Sequence, residues 1–289
     1  MTTSSKEKQR VQSDSVEDNV TQLIVNVDDV GNSQDVADGV LQLWEAGAIS
    51  SVSVMAFGPD VDHTAKLLIE NNIPTGVHLA LNHGRGVLPA DEVPSLHTSN
   101  GDFWNSAEET MARLVISEVK LEFEAQIERL LRIGIAVRHL DSHMGLAFMS
   151  PELLMLYQEL ARRYRLAVAL PEDPYFDSVR NRLAQDSLVA SISLSGIYAL
   201  SGCAEETLAN RAAHYRSLLL SLNPGLNYIF SHPAPPTATV KAELGDHMIR
   251  NHDFALFMSS EWKEMIAEAK ITIVSFTNQI GRASCRERV

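Results

Sequence analysis

The sequence predicts an α/β fold built as a (β/α) barrel, regular or distorted, of about seven strands. Three observations predict it. Short β-type runs alternate with longer helical stretches along a chain of 289 residues. Seven such runs within about 255 residues suit a barrel better than a small doubly wound sheet. Acids and histidines also gather at the C-terminal ends of several runs, where such barrels carry their working groups.

Taken in order, the first run is QLIVNV (22–27), which stops at Asp28, Asp29 and Gly31. A helical pattern over 35–47 carries Val36, Val40, Leu43 and Trp44 on one face and stops at Gly47. SVSVMA (51–56) is the second strand, followed by a helix over 62–72. GVHLAL (76–81) is the third, and His78 lies within it. Residues 82–105 have no periodicity and are rich in Gly, Pro and Asn. A connection this long is functional or a plain surface excursion, and it is read here as a substrate-side loop. Val119, Phe123, Ile127 and Leu130 place a helix over 106–133 that ends at Gly134. AVRHLD (136–141) is the fourth strand, and Pro151 opens a helix over 151–164 at a first-turn position. LAVAL (166–170), a helix over 205–222, LNYIFS (226–231), a helix over 259–270 and ITIVSF (271–276) complete the pattern.

Composition narrows the function. The net charge of −13 argues against nucleic-acid or anionic-membrane partners and accepts a neutral or cationic substrate. No apolar run approaches the ~20 residues of a membrane span. Residues 1–21 are polar, lack an apolar leader core and read as a disordered tail, which points to a cytoplasmic location. The two cysteines, Cys203 and Cys285, form no CxxC and no disulfide framework. Residues 279–289, QIGRASCRERV, resemble a translated adapter read-through, so the domain is taken as 22–278.

The candidate chemistry lies at the strand ends. Bare carboxylates buried there are costly unless a cation or hydrogen bonds compensate. Asp28 and Asp29 would point to opposite faces of a strand, but a turn at Val30–Gly31 would swing both into one cleft. The alternative for the pair is capping of the next helix. A lone strand histidine such as His78 is more often structural than a ligand, and it gains weight only from the other candidates. In HLDSH, a continuing strand would put His139, Asp141 and His143 on one face, as one or two ligands with a carboxylate that orients imidazole. His232 ends a strand before Pro233 and suits a general acid or a loop histidine. One acid and two histidines from three strands would make a three-ligand site of the catalytic kind. Imidazole with carboxylate suits Zn²⁺ and other transition ions, whereas Mg²⁺ prefers more oxygen. No P-loop, GxGxxG after the first strand or GxSxG elbow is present.

These motifs together resemble the YdjC-like carbohydrate deacetylases. The likeness runs from Leu23 to Phe276 and rests on NVDDVG, GVHLALNHG, VPSLHTSNGDF, EFEAQIERLLRIGI, HLDSHMG, SHPA and RNHDFALFMSSEW in that order. It implies a distorted (β/α) barrel related to polysaccharide deacetylases and one divalent metal, Zn²⁺ or Mg²⁺. Position by position, it implies Asp29, His78 and His143 as ligands, Asp28 as general base and His232 as acid. His139 and Asp141 would support them from behind. Three departures stand out. Val30 replaces an aromatic, Leu170 stands where many members carry Arg, and Met144–Gly145 replace further histidines. The implied reaction is removal of an N-acetyl group from an amino sugar or small oligosaccharide, the partner being that sugar, with homo-oligomerisation left open. The alternatives are a hydrolase of another amide or a phosphoester, and an inactive sugar-binding relative.

Overall fold

A computed structural model describes residues 20–168, 196–198 and 206–276. Among them, eight parallel strands form one sheet: β1 Thr21–Val30, β2 Ser51–Val54, β3 Thr75–Leu79, β4 Val137–Ser142, β5 Ala167–Val168, β6 Gly196–Tyr198, β7 Gly225–Ser231 and β8 Thr272–Ile273. The hydrogen-bonded order is β5-β4-β3-β2-β1-β7-β6, with β8 on β1. β7 follows β1 from Thr21 to Val27. β8 at Gln22–Leu23 and β2 from Asn26 onward therefore share the other edge of β1. The result is the predicted α/β architecture, a curved parallel sheet forming a half-barrel wrapped by helices.

The helices are α1 Gln34–Glu45, α2 Val61–Glu70, α3 Ala107–Arg113, α4 Ile116–Arg132, α5 Pro151–Tyr164, α6 Leu208–Ser221, α7 Ala238–Glu243, α8 His247–Phe257 and α9 Ser260–Glu268. α4 buries Val119, Phe123, Ile127 and Leu130 completely, as their spacing requires. It stops at Gly134, whose φ of 98° suits glycine, while the Ile135 amide returns to the Leu130 carbonyl at 3.0 Å.

Alternation along the strands separates two cores. Leu23, Val25 and Val27 of β1 pack outward among the helices, while Ile24 joins Tyr228, Val274 and Phe276 inside the curve of the sheet. That interior is polar toward the C-terminal ends of the strands, where Asn26, Ser53, His78, His139 and Asp141 are all buried.

Several expectations need correction. The helix expected over 106–133 is two helices. Leu114 and Val115 take extended backbone, and the Val115 amide donates to Ser95 Oγ at 3.0 Å instead of continuing a helix. β6, α7 and α8 lie where no element was expected. The 82–105 connection follows β3 and is pinned to α4. Glu122 accepts the amides of Val87 at 2.8 Å and Leu88 at 2.9 Å. His97 stacks on Phe103 at 4.7 Å.

Most of the expected 1–21 tail, the 279–289 tail, Leu170, Cys203 and Cys285 lie outside the described residues, and Thr21 already belongs to β1. No helix among the described residues is long and apolar enough to cross a membrane.

Candidate metal centre

The site forms where β1, β3 and β4 end together, and β1 prepares it with a bulge. Val27 pairs with Val52 and Val30 with Val54, so β1 carries one residue more than β2 across this step. Asp29 absorbs it with φ 61°, a left-handed conformation uncommon for a residue other than glycine. The bulge itself, and not a turn at Val30–Gly31, brings both carboxylates to one cleft. The capping alternative also falls. Ser33 is the N-cap of α1, and Asp60 accepts the Gln34 amide at 3.2 Å.

His143 arrives differently from expectation. β4 ends at Ser142, and His143 opens a 3₁₀ turn in which Met144 and Gly145 have φ of 51° and 65°. It therefore does not continue the face of His139 and Asp141; the turn swings it over the strand ends. β4 has its own bulge against β3, between Val137 and Leu140, which leaves Leu140 in the outer core.

Three donor atoms converge. His78 Nε2 lies 3.3 Å from His143 Nδ1 and 3.3 Å from Asp29 Oδ1, and His143 Nδ1 lies 3.0 Å from the same oxygen. Donors about 2.0–2.1 Å from a tetrahedral ion are separated by roughly 3.3 Å, so the triangle fits a cation. Two imidazole nitrogens and one carboxylate oxygen offer a cation three ligand atoms of the kind that transition ions take. Burial pushes the Asp29 carboxyl up, but hydrogen bonds from His143 and His78 outweigh it and hold it well below the ordinary value. Burial would lower the His78 ring, yet the charges of Asp141 and Asp28 hold it well above its ordinary value.

A layer of hydrogen bonds beneath orients these groups. Asp141 Oδ1 lies 2.8 Å from His78 Nδ1, so that nitrogen donates and Nε2 faces the triangle. Ser53 donates to Asp141 Oδ2, and Tyr228 donates to it at 3.3 Å. Ser53 Oγ also lies 3.0 Å from His139 Nε2 and accepts from Asn26 Nδ2 at 2.8 Å. Burial pushes His139 down to about 4, so the ring is neutral and donates its Nε2 proton to Ser53. It stacks on Phe276 at 3.9 Å.

Asp28 accepts from Asn26 Nδ2 at 2.7 Å. Burial, then the charge of Asp141, push its carboxyl well above the ordinary value. His232 Nε2 stands 3.7 Å from Asp29 Oδ2. About a third of this side chain is exposed (35 %), yet the surrounding protein still pushes the ring down to about 4.

Sequence reasoning missed Arg250, whose Nη2 donates to Asp29 Oδ2 at 3.2 Å. Its place in RNHDFALF was the available signal. It also missed Ser53 and Asn26, which look like ordinary strand residues, and His83, whose ring lies 6.2 Å from that of His143.

A family model described as YdjC-like protein matches residues 22–268. The chain belongs to the YdjC-like family. Over 146 residues this YdjC-like chain is 34 % identical to a carbohydrate deacetylase of Geobacillus stearothermophilus, covering 50 % of this chain and 58 % of that protein. It is 31 % identical over 146 residues to a carbohydrate deacetylase of Oceanobacillus iheyensis, covering 50 % and 62 %. The match thus spans about six tenths of the length of these relatives. A crystal structure from Enterococcus faecalis V583, of a protein provisionally named for cellobiose-phosphate cleavage, superposes with a TM-score of 0.77. That match has 23 % identity over 90 % of this chain and 98 % of the other, and it establishes the likeness of fold.

Proposed function

We propose that this YdjC-like protein is a metal-dependent carbohydrate deacetylase that hydrolyses the N-acetyl group of an amino sugar or small oligosaccharide. The observation that carries the reading is the Asp29–His78–His143 donor triangle, with Asp28 in a second, buried group that shares His78. Deacetylase relatives at 34 % and 31 % identity support the substrate class.

Asp29, His78 and His143 would hold the ion, and two nitrogens with one oxygen favour Zn²⁺ over Mg²⁺. When bound, such an ion lowers the pKa of water and polarises a carbonyl.

The chain's own groups handle the protons. Asp28 is the base. Burial and the charge of Asp141 raise its carboxyl well above an ordinary aspartate, which makes the ionised form a stronger proton acceptor. Asn26 fixes one oxygen and leaves the other for the proton. Water adds hydroxide to the acetyl carbon, the amide C–N bond breaks, and the amine takes a proton. His232 is the proposed donor. A ring held at about 4 rests neutral, so the proton it gives the amine would be the one that Asp28 took from the attacking water.

The experiment is acetate release from N-acetylated glucosamine oligomers by chelator-treated protein before and after a divalent ion is restored. Release that depends on the ion supports the reading. No release from any N-acetylated sugar by metal-loaded protein contradicts it.

A further inference from the structure

We infer that Arg250 is a positioning residue that keeps the Asp29 carboxylate turned with a single oxygen toward the donor triangle. The inference rests on the proposed metal centre and adds a residue to it. Asp29 divides its two oxygens. Oδ1 faces His78 and His143, whereas Oδ2 accepts from Arg250 Nη2 at 3.2 Å. A carboxylate with one oxygen held by a guanidinium cannot readily rotate to offer both to the same ion.

The guanidinium is itself fixed. Arg250 Nε donates to Asp246 Oδ1 at 2.7 Å, and only 15 % of the side chain is exposed. The helix beneath it is anchored by a buried bidentate pair, in which Arg211 donates to Asp253 at 2.6 and 2.9 Å. The same helix holds the loop that carries His232. The Ala234 amide donates to the Arg250 carbonyl at 3.1 Å, and Asn251 Nδ2 donates to the Ala234 carbonyl at 2.9 Å. One helix thus sets Arg250 on Asp29 and fixes the approach of His232.

Removing the guanidinium makes the cluster more negative and frees Asp29 Oδ2. A role confined to anchoring α8 would instead lower metal retention and thermal stability together. The test compares full-length wild type, Arg250→Gln and Arg250→Lys by metal titration, by the visible spectrum of the Co²⁺-loaded protein, and by acetate release. Arg250→Gln is expected to bind metal at least as tightly as wild type. Its Co²⁺ bands should weaken as the coordination number rises, and kcat should fall at least tenfold with little change in KM. Arg250→Lys should restore part of the spectrum. A wild-type spectrum and affinity in Arg250→Gln overturn the role of Arg250 and leave the deacetylase reading standing. Weakened metal binding with a lowered Tm overturns it in favour of anchoring. If wild type itself binds no metal, the proposed centre fails, and this inference with it. If metal binds but no acetate appears, the titration and spectrum still decide the role of Arg250.

Discussion

His78 Nδ1 lies 2.8 Å from Asp141 Oδ1, and that one contact decides which imidazole nitrogen meets Asp29 and His143. Asp141 is held in turn by Ser53 and Tyr228. Asp141→Ala should therefore weaken metal binding by roughly 10–100-fold, as loss of a carboxylate behind a ligating histidine does elsewhere. Metal titration reads it, and unchanged affinity would show that Asp141 has no orienting role.

Asp28 is the proposed base, whereas Asp29 is a proposed ligand. Asp28→Asn keeps the shape and the bond from Asn26 but cannot take a proton. Turnover should fall by roughly 10²–10⁴-fold, while the metal content of the purified protein stays at the wild-type level. Wild-type acetate release from this variant would remove Asp28 as the base.

Gly76 makes room for His139. A Cβ at this position would lie 2.4 Å from His139 Nε2, and the ring has Phe276 stacked on it. Gly76→Ala should cost roughly 1–3 kcal/mol through overpacking and disturb Ser53 and Asp141 as well. Denaturant unfolding measures the cost, and a variant as stable as wild type would show that the ring moves aside freely.

The same ring makes the fold sensitive to acid. Its folded value, about 4, lies below the ordinary 6.5, so the unfolded chain takes up a proton first as pH falls. Stability is unaffected by this group above about pH 6.5 and declines as pH falls toward 4, by about 3 kcal/mol in all. His139→Gln has no proton to gain and should show a shallower loss over that window. Parallel stability curves for the two proteins would contradict the assignment.

Much of the site was legible because parallel β/α units deliver every strand end to one mouth. Asp28, Asp29, His78 and Asp141 could be grouped from strand pattern alone. The rest depended on irregularities that periodicity does not encode. The bulge at Asp28–Asp29 and the 3₁₀ turn at His143 reorient the proposed ligands Asp29 and His143 within one or two residues. Arg250 comes from a helix 221 positions after Asp29, with no strand pattern to tie the two together. Ser53 and Asn26 matter through hydrogen bonds inside the sheet, and their sequence context is that of ordinary strand residues. The helix break at Leu114–Val115 likewise depends on Ser95, a partner remote in sequence.

The most direct test of the metal centre is metal content after equilibrium dialysis against Zn²⁺, comparing wild type with Asp29→Ala, His78→Ala, His143→Ala and His232→Ala. The geometry predicts one tightly held ion per chain in wild type and in His232→Ala, and its loss in each of the other three. Wild-type ion content in a variant lacking Asp29, His78 or His143 would contradict it.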